Sequence, residues 1–184
     1  MEESNRRPEE AMTNAGLVFI CTVWLQGQMS DLVILKNNPD LIAEFVANPA
    51  KVPAPYHQLR VKSWERQFGD IKREFLKSFD DQLTVEDIND IEHIYHFRNM
   101  IGHAHISAGR DYMLYRPGST RKEQEILAAL NPQPVTDQSD PVMIRLDFWR
   151  PDVFKYLSDQ IERIDQVCFA RLARTLGVPH GRIR

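Results

Sequence analysis

The chain has 184 residues and a formal net charge of −3, with 42% hydrophobic and 27% charged residues. This composition excludes disordered and collagen-like chains and predicts a single globular domain over residues 1–184. The small negative charge excludes a strongly basic, histone-like nucleic-acid binder. The longest apolar run, Leu17–Leu25, is about half as long as a membrane span, and the charged first ten residues do not resemble a secretory signal. We therefore predict a cytoplasmic protein without a membrane segment.

The first helix is predicted from about Pro8 to Lys36, where apolar residues recur at spacings of three, four and seven. It ends at Asn37-Asn38-Pro39, because proline cannot continue a helix. A short second helix is predicted over Asp40–Asn48. Three prolines between Pro49 and Pro55 then predict a stiff connection without regular structure.

A third helix is predicted where six apolar residues, Trp64 among them, stack on one buried face. They are Val61, Trp64, Phe68, Ile71, Phe75 and Phe79. The opposite face of this helix carries four cations, which are Lys62, Arg66, Arg73 and Lys77. Such a face is either simply solvated or contacts a polynucleotide, so the four cations are candidate RNA-binding residues.

The fourth helix opens at Thr84 and Asp87, which have the spacing of a capping box, and reaches about Gly102. The last helix is amphipathic, begins at Pro151 and ends before Gly177. Strand, helix and strand do not alternate along the chain, so the elements favour an antiparallel helical bundle over an α/β sheet. The predicted fold class is mainly α.

A small insertion in this bundle is predicted at about residues 106–149. Tyr112–Tyr115 and Val142–Phe148 have strand patterns and can pair as a two-stranded antiparallel β-ribbon. Thr120 and Glu123 are spaced as a capping box and open a helix, reaching about Leu130, in the connection between the two strands.

The fourth helix has a polar stripe that core packing does not explain. Its core face, at about 100° per residue, contains Ile94, Phe97 and Ile101. Four polar residues lie opposite, within about 60° of one another, and are Glu92, His96, Asn99 and His103. A solvated helix face normally carries Lys, Glu, Gln or Ala, since His and Asn have lower helix propensity.

Arg98 lies beside this polar stripe, where its guanidinium can bind a phosphate while the neighbouring imidazoles exchange protons. A metal-independent ribonuclease needs these groups. A base removes the proton of the ribose 2′-hydroxyl, an acid protonates the departing 5′ oxygen, and cations stabilise the charge on phosphorus. The stripe therefore predicts RNA cleavage without a metal or another cofactor.

The run Arg98-Asn99-Met100-Ile101-Gly102-His103 resembles the R-x(4–6)-H signature of the HEPN superfamily (higher eukaryotes and prokaryotes nucleotide-binding). In that family the motif lies near the end of a helix in an α-helical bundle. Many members are endoribonucleases of toxin–antitoxin, abortive-infection and other defence systems and work as dimers, whereas some have lost catalysis.

The resemblance implies that Arg98 and His103 are the catalytic pair, that Asn99 positions them, and that Glu92 is a supporting acid. His96 and His105 are further candidates for substrate binding. The implied partners are an RNA substrate, a second copy of the chain and a cognate antitoxin protein. One arginine and one histidine are too few to serve as the base, the acid and the group that binds the phosphate. A second copy of the chain, related by a two-fold axis through the stripe, doubles the number of these side chains.

Three alternatives remain open at this point. His103 and His105 can interact with the dipole at the helix end while Arg98 pairs with an internal carboxylate, which gives the motif a purely structural role. His93 and His96 can share a metal, although their spacing fits no familiar zinc motif. The bundle can also be a non-catalytic binding or adaptor module that acts through dimerisation.

Overall fold

A computed structural model of the chain describes residues 3–48, 51–106, 110–130, 135–136 and 142–183. The helices are α1 (Glu3–Asn37), α2 (Asp40–Ala47), α3 (Ala54–Trp64), α4 (Phe68–Ser78), α5 (Val85–His103), α6 (Thr120–Ala129), α7 (Pro151–Arg163) and α8 (Ala170–Thr175). The strands are β1 (His105–Ile106), β2 (Met113–Tyr115), β3 (Val135–Thr136) and β4 (Ile144–Leu146). A π-helical turn, Ile164–Phe169, joins α7 to α8. The predicted mainly α fold class is confirmed.

The described chain divides into two compact units. Unit 1 comprises Met1–Thr22 and Glu92–Ile161, and unit 2 comprises Val23–Ile91 and Glu162–Arg184. Helices α1, α5 and α7 contribute residues to both. The part of the connection between α2 and α3 that contains Pro49 lies outside the described residues, and α3 already begins at Ala54.

Unit 1 contains the predicted ribbon. Strands β2 and β4 pair antiparallel, with Leu114 opposite Arg145, and their flanking residues Met113, Tyr115, Ile144 and Leu146 are buried. The predicted antiparallel ribbon of β2 and β4 is confirmed, and the short strands β1 and β3 extend it to four strands in the order β1-β2-β4-β3. Each outer strand has two residues, too few to produce an alternating sequence pattern.

Helix α6 begins at Thr120, as predicted, but its N-cap is not the residue expected from the capping box. Ser119 is the N-cap and accepts the N–H of Lys122 at 3.3 Å, whereas Thr120 is the first helical residue. The Glu123 carboxylate does not complete a box and instead accepts the N–H of Val142 at 3.2 Å. Glu123 therefore connects α6 to the segment that leads into β4.

In unit 2 the predicted third helix is two helices. Its apolar spacing continues from Trp64 to Phe68, but Gln67 has an extended backbone, with ψ 148°, which separates α3 from α4. Trp64 is 66% exposed and Val61 38% exposed, so the prediction that both lie in the core was wrong. The four cations of the predicted basic face consequently do not share one helix.

The N-terminus of α5 has the predicted capping box. The N–H of Thr84 donates to Asp87 Oδ2 at 2.9 Å, and the N–H of Asp87 donates to Thr84 Oγ1 at 3.1 Å. Arg163 and Arg171 donate to the same carboxylate at 3.0 and 2.6 Å. Burial favours the neutral acid, but the hydrogen bonds from Thr84, Arg163 and Arg171 outweigh it and hold the pKa of Asp87 below its usual value.

The π-helical turn explains how two arginines of one continuous helical segment reach one carboxylate. In an α-helix, residues eight positions apart lie about 80° apart around the axis. A π turn is wider, so each residue advances less around the axis. Arg163 and Arg171, on either side of the turn, therefore come closer to the same face.

Gly177, with φ 75°, then ends α8 as predicted.

Helix α1 is the one helix of the described residues that is long and apolar enough to cross a membrane, over Arg7–Asn37. Half of its most apolar window is buried inside the protein, as in the core helix of a soluble protein. Length and composition alone are therefore a weak indication of a membrane span. The cytoplasmic location remains a prediction.

Asp31, on α1 in unit 2, is a buried acid whose side chain is 1% exposed and lies 3.2 Å from Arg60 Nε. Burial raises the pKa of Asp31 to about 6, although a hydrogen bond with Tyr56 and the positive charge of Arg60 both act to lower it. Because the folded protein holds this proton more tightly than the unfolded chain, the free energy of unfolding falls as pH rises from about 4 to about 6.

We expect Asp31→Asn to stabilise the protein at neutral pH. One pKa unit corresponds to about 1.4 kcal/mol, so ionising this buried carboxyl costs on the order of 3 kcal/mol, which asparagine avoids. Urea denaturation should show a higher midpoint for the variant above about pH 7 and the wild-type midpoint near pH 4. Asp80→Asn, an exposed aspartate of the same unit, serves as control. A variant less stable than wild type above pH 7 would contradict the expectation.

Candidate functional site

The two faces of α5 in unit 1 are arranged as predicted. The core face is at most 8% exposed and contains Ile94, Phe97 and Ile101. The opposite stripe reaches solvent, with Glu92, His96 and Asn99 partly exposed and His103 exposed. His96 Nε2 lies 3.8 Å from the carboxylate of Glu92, one turn earlier in the helix. The stripe is therefore an accessible polar surface.

Arg98 is held in place without a carboxylate. Its Nη1 donates to the amide oxygen of Asn99 at 3.1 Å, and its Cζ lies 5.1 Å from the centroid of the Phe19 ring. Its Nε is buried and has no hydrogen-bond partner within the described part of the chain. Among the residues that the structure describes, no acid forms an ion pair with this guanidinium. The internal carboxylate of the structural alternative is therefore not found there.

Phe19 positions this part of α5. A Cβ atom at Gly102 would lie 3.8 Å from the Phe19 ring, so the ring covers the strip of α5 between Arg98 and Gly102. Asn99 and His103 lie on the uncovered side of that strip. The sequence did not single out Phe19, because an apolar residue at the edge of a helix face carries no signal of what it packs against.

His103 and His105 are both exposed at the end of α5. His103 is the last residue of the helix, and His105 lies in β1, where it pairs with Leu114. Residues five positions apart on a helix point about 140° apart around its axis. Arg98 and His103 of one chain therefore leave α5 in different directions, and the structure does not bring them together within one copy.

His93 lies on the core side of α5 and not on the polar stripe. It is 2% exposed, pairs with the Gln160 side chain, and packs edge-on against Phe97 and Tyr156 with ring centroids 4.8 and 5.3 Å away. Its wheel position, about 40° from Phe97, was the sequence signal for this burial. His93 and His96 thus face different environments, which removes the basis for a shared metal.

Across the described ranges, no cluster of three or more His, Cys, Asp or Glu side chains is arranged to hold a metal ion. The chemistry available at the stripe is that of imidazoles, a carboxylate, an amide and a guanidinium.

The candidate RNA-binding cations all lie in unit 2. Arg66 pairs with Glu74 at 2.5 Å and Arg73 with Asp70 at 3.3 Å. Lys62 and Arg66 line a cavity of about 220 Å³ formed by α1, α3 and α4. Lys77 is exposed on α4. The helix break distributes these residues over two helices and the connection between them, so they do not form the continuous positive stripe expected from the sequence.

The site in unit 1 can therefore bind an anion and exchange protons. The guanidinium of Arg98 offers donors in the fork geometry that suits phosphate, and the ring nitrogens of an exposed imidazole can donate or accept a proton. Comparison of the chain with protein-family models, curated proteins and solved structures finds no match in any of the three.

Proposed function

We propose that the chain is a metal-independent endoribonuclease of HEPN type that acts as a homodimer. The observation that carries the proposal is the partly buried guanidinium of Arg98, which no described carboxylate neutralises. A cation that is partly removed from water without a counter-ion costs free energy, and an anionic ligand offsets that cost. The phosphodiester of RNA is such a ligand, and the exposed histidines beside Arg98 supply the proton transfers that its cleavage requires.

In the proposed reaction, the neutral imidazole of one His103 takes the proton of a ribose 2′-hydroxyl. The 2′ oxygen forms a bond to the adjacent phosphorus, and the bond from phosphorus to the 5′ oxygen breaks. The imidazolium of the other His103 donates a proton to the departing 5′ oxygen. The products are a 2′,3′-cyclic phosphate and a 5′-hydroxyl, so atoms and charge balance without a metal.

The other site residues have supporting roles in this proposal. Arg98 donates hydrogen bonds to the non-bridging phosphate oxygens, where negative charge increases in the transition state. Asn99 fixes the guanidinium through the 3.1 Å hydrogen bond. Glu92, 3.8 Å from His96, is the supporting acid, and His96 and His105 contact the substrate.

Two copies are needed because one chain provides a single Arg98 and a single His103 on diverging sides of α5. A two-fold axis near the polar stripe lets the His103 side chains of both copies and an Arg98 side chain face one phosphate. The cellular setting that we infer is a toxin–antitoxin or phage-defence system in the cytoplasm, with cellular RNA as substrate and a cognate antitoxin protein as regulator.

We expect the purified protein to cleave RNA in the presence of EDTA, because imidazole and guanidinium groups perform all the chemistry. The fragments should carry 2′,3′-cyclic phosphate or 3′-phosphate ends and 5′-hydroxyls, which end-specific enzymes distinguish on denaturing gels of labelled RNA. Addition of Mg²⁺ should not change the type of end. Cleavage that requires a divalent ion, or that leaves 3′-hydroxyls, would remove this mechanism.

A further inference from the structure

Helix α1 has an exposed apolar face in unit 1, formed by Met12, Gly16, Leu17 and Ile20. Met12 is 47%, Leu17 48% and Ile20 65% exposed. Gly16 lies among them, with open space where a Cβ atom would be. The opposite side of the helix, with Ala11, Ala15 and Val18, is buried in the core. Apart from Thr13, which is also exposed on this side, helix α1 is therefore apolar on its exposed side as well between Met12 and Ile20, unlike an ordinary surface helix.

The α1 apolar face adjoins the candidate site. Phe19, which contacts Arg98 and lies beside Gly102, is the neighbour of Ile20 and follows Gly16 by three residues. Its ring thus lies between the α1 apolar face and the polar stripe of α5. Anything bound to the α1 apolar face also lies close to Arg98.

We infer that the α1 apolar face binds the same face of a second copy, with Ile20 of each copy packed over Gly16 of the other. Gly16 and Ile20 are one helical turn apart. A two-fold axis that passes between them therefore places the protruding Ile20 side chain of each copy over the gap at Gly16 of the other copy. The inference deepens the proposed function by assigning a surface to its homodimer, and it rests on that function.

The glycine supports this assignment. In a helix interior, glycine costs up to about 1 kcal/mol relative to alanine. Among the residues that the structure describes, nothing lies within 4 Å of the position of its missing Cβ, so no contact with them requires a glycine at position 16. Close approach of a second helix does require one, because a side chain at position 16 would displace the opposing Ile20.

The charge pattern disfavours a polynucleotide or an anionic membrane as the occupant of this face. Between Ala11 and Ser30 the sequence contains no charged residue. The face therefore offers no cation to a polynucleotide or to anionic lipid headgroups, while two such neutral faces do not repel each other. A lipid environment all round α1 is also disfavoured, because half of the most apolar window of this helix is already packed inside the protein.

The test is Gly16→Leu in the full chain, with sedimentation analysed over a concentration series. The wild type should sediment at twice the chain mass of 21.4 kDa. Gly16→Leu should associate at least tenfold more weakly, while its thermal stability as a monomer is kept or raised, because leucine is a better helix former. The double variant Gly16→Leu/Ile20→Gly has its protruding side chain at position 16 and its gap at position 20. The two faces are then complementary again, so this variant should dimerise.

Val85→Lys is the matched control, because Val85 is 76% exposed and lies in unit 2. It should leave the dimer intact. A monomeric wild type, a Gly16→Leu variant that remains fully dimeric, or flotation of the wild type with neutral phosphatidylcholine vesicles would overturn the inference. RNA cleavage is measured on the same samples. A dimer that fails to cleave RNA removes the proposed function alone, and a Gly16→Leu variant that stays dimeric and cleaves removes the interface alone. A monomer that cleaves removes the interface together with the two-copy mechanism.

Discussion

Replacement of Arg98 by alanine is expected to lower the rate of RNA cleavage by at least about 100-fold, as loss of a transition-state donor usually does. Arg98→Lys should recover little activity, because an ammonium lacks the planar fork that binds two phosphate oxygens. Initial rates on labelled RNA at saturating protein measure the effect. Growth arrest on expression of the wild type should disappear with either variant.

Arg121→Ala is the matched control for this experiment. Arg121 is also in unit 1, but its side chain is 85% exposed on α6 and pairs with Glu125 at 3.3 Å. Its removal should leave cleavage unchanged. Thermal unfolding of all three variants separates lost catalysis from lost structure. Wild-type rates in a folded Arg98→Ala protein would show that this arginine has no part in cleavage and would end the assignment of the site.

A second large effect is expected for Asp87→Asn, which should lower the free energy of unfolding by about 3 to 5 kcal/mol and the Tm by about 10 °C. Asp87 is 2% exposed and accepts hydrogen bonds from both Arg163 and Arg171. Asparagine keeps the shape of the side chain but leaves these two partly buried guanidinium groups facing a neutral amide.

The pH dependence of this effect has a definite sign. The pKa of Asp87 is lowered in the folded protein, so its stabilising contribution is complete above the ordinary aspartate pKa and is lost as pH falls through the folded value. The difference in Tm between wild type and Asp87→Asn should therefore be constant near neutral pH and shrink in acid. Asp159→Asn removes only an exposed pair with Lys155 and should change stability by less than about 1 kcal/mol. An equally small effect at Asp87 would refute the expectation.

The helices were predictable where the spacing of apolar residues agrees with the residues that begin or end a helix. Asn37-Asn38-Pro39 ends α1, the Thr84–Asp87 box opens α5, and Gly177 ends α8. The spacing of apolar residues could not predict the break between α3 and α4. Trp64 and Phe68 are four positions apart in the sequence, which fits one helical turn, and this spacing is the same when the backbone between them is not helical. The outer strands β1 and β3 form only through pairing with their neighbours, which no local pattern specifies.

The candidate site was predictable to the extent that it depends on one helix. A helical wheel of α5 places Ile94 and Glu92 on opposite faces of the helix, and this requires no knowledge of the fold. It says nothing about Phe19 beneath Arg98, about the absence of a carboxylate beside that guanidinium in the described chain, or about the uncovered α1 apolar face. Those features depend on segments about 80 residues apart in the sequence, whose contact arises only on folding.

The π-helical turn has a consequence for variation of this sequence. A π turn holds one residue more than the α turn it replaces, so loss of a single residue within Ile164–Phe169 would return the segment to regular α-helix. The two arginines would then be seven positions apart, which is about 20° around the axis of an α-helix, and both would still face Asp87. Loss of a second residue would rotate Arg171 by about 100° and take it away from the carboxylate. The segment can therefore lose one residue, but not two, without losing this pair of hydrogen bonds.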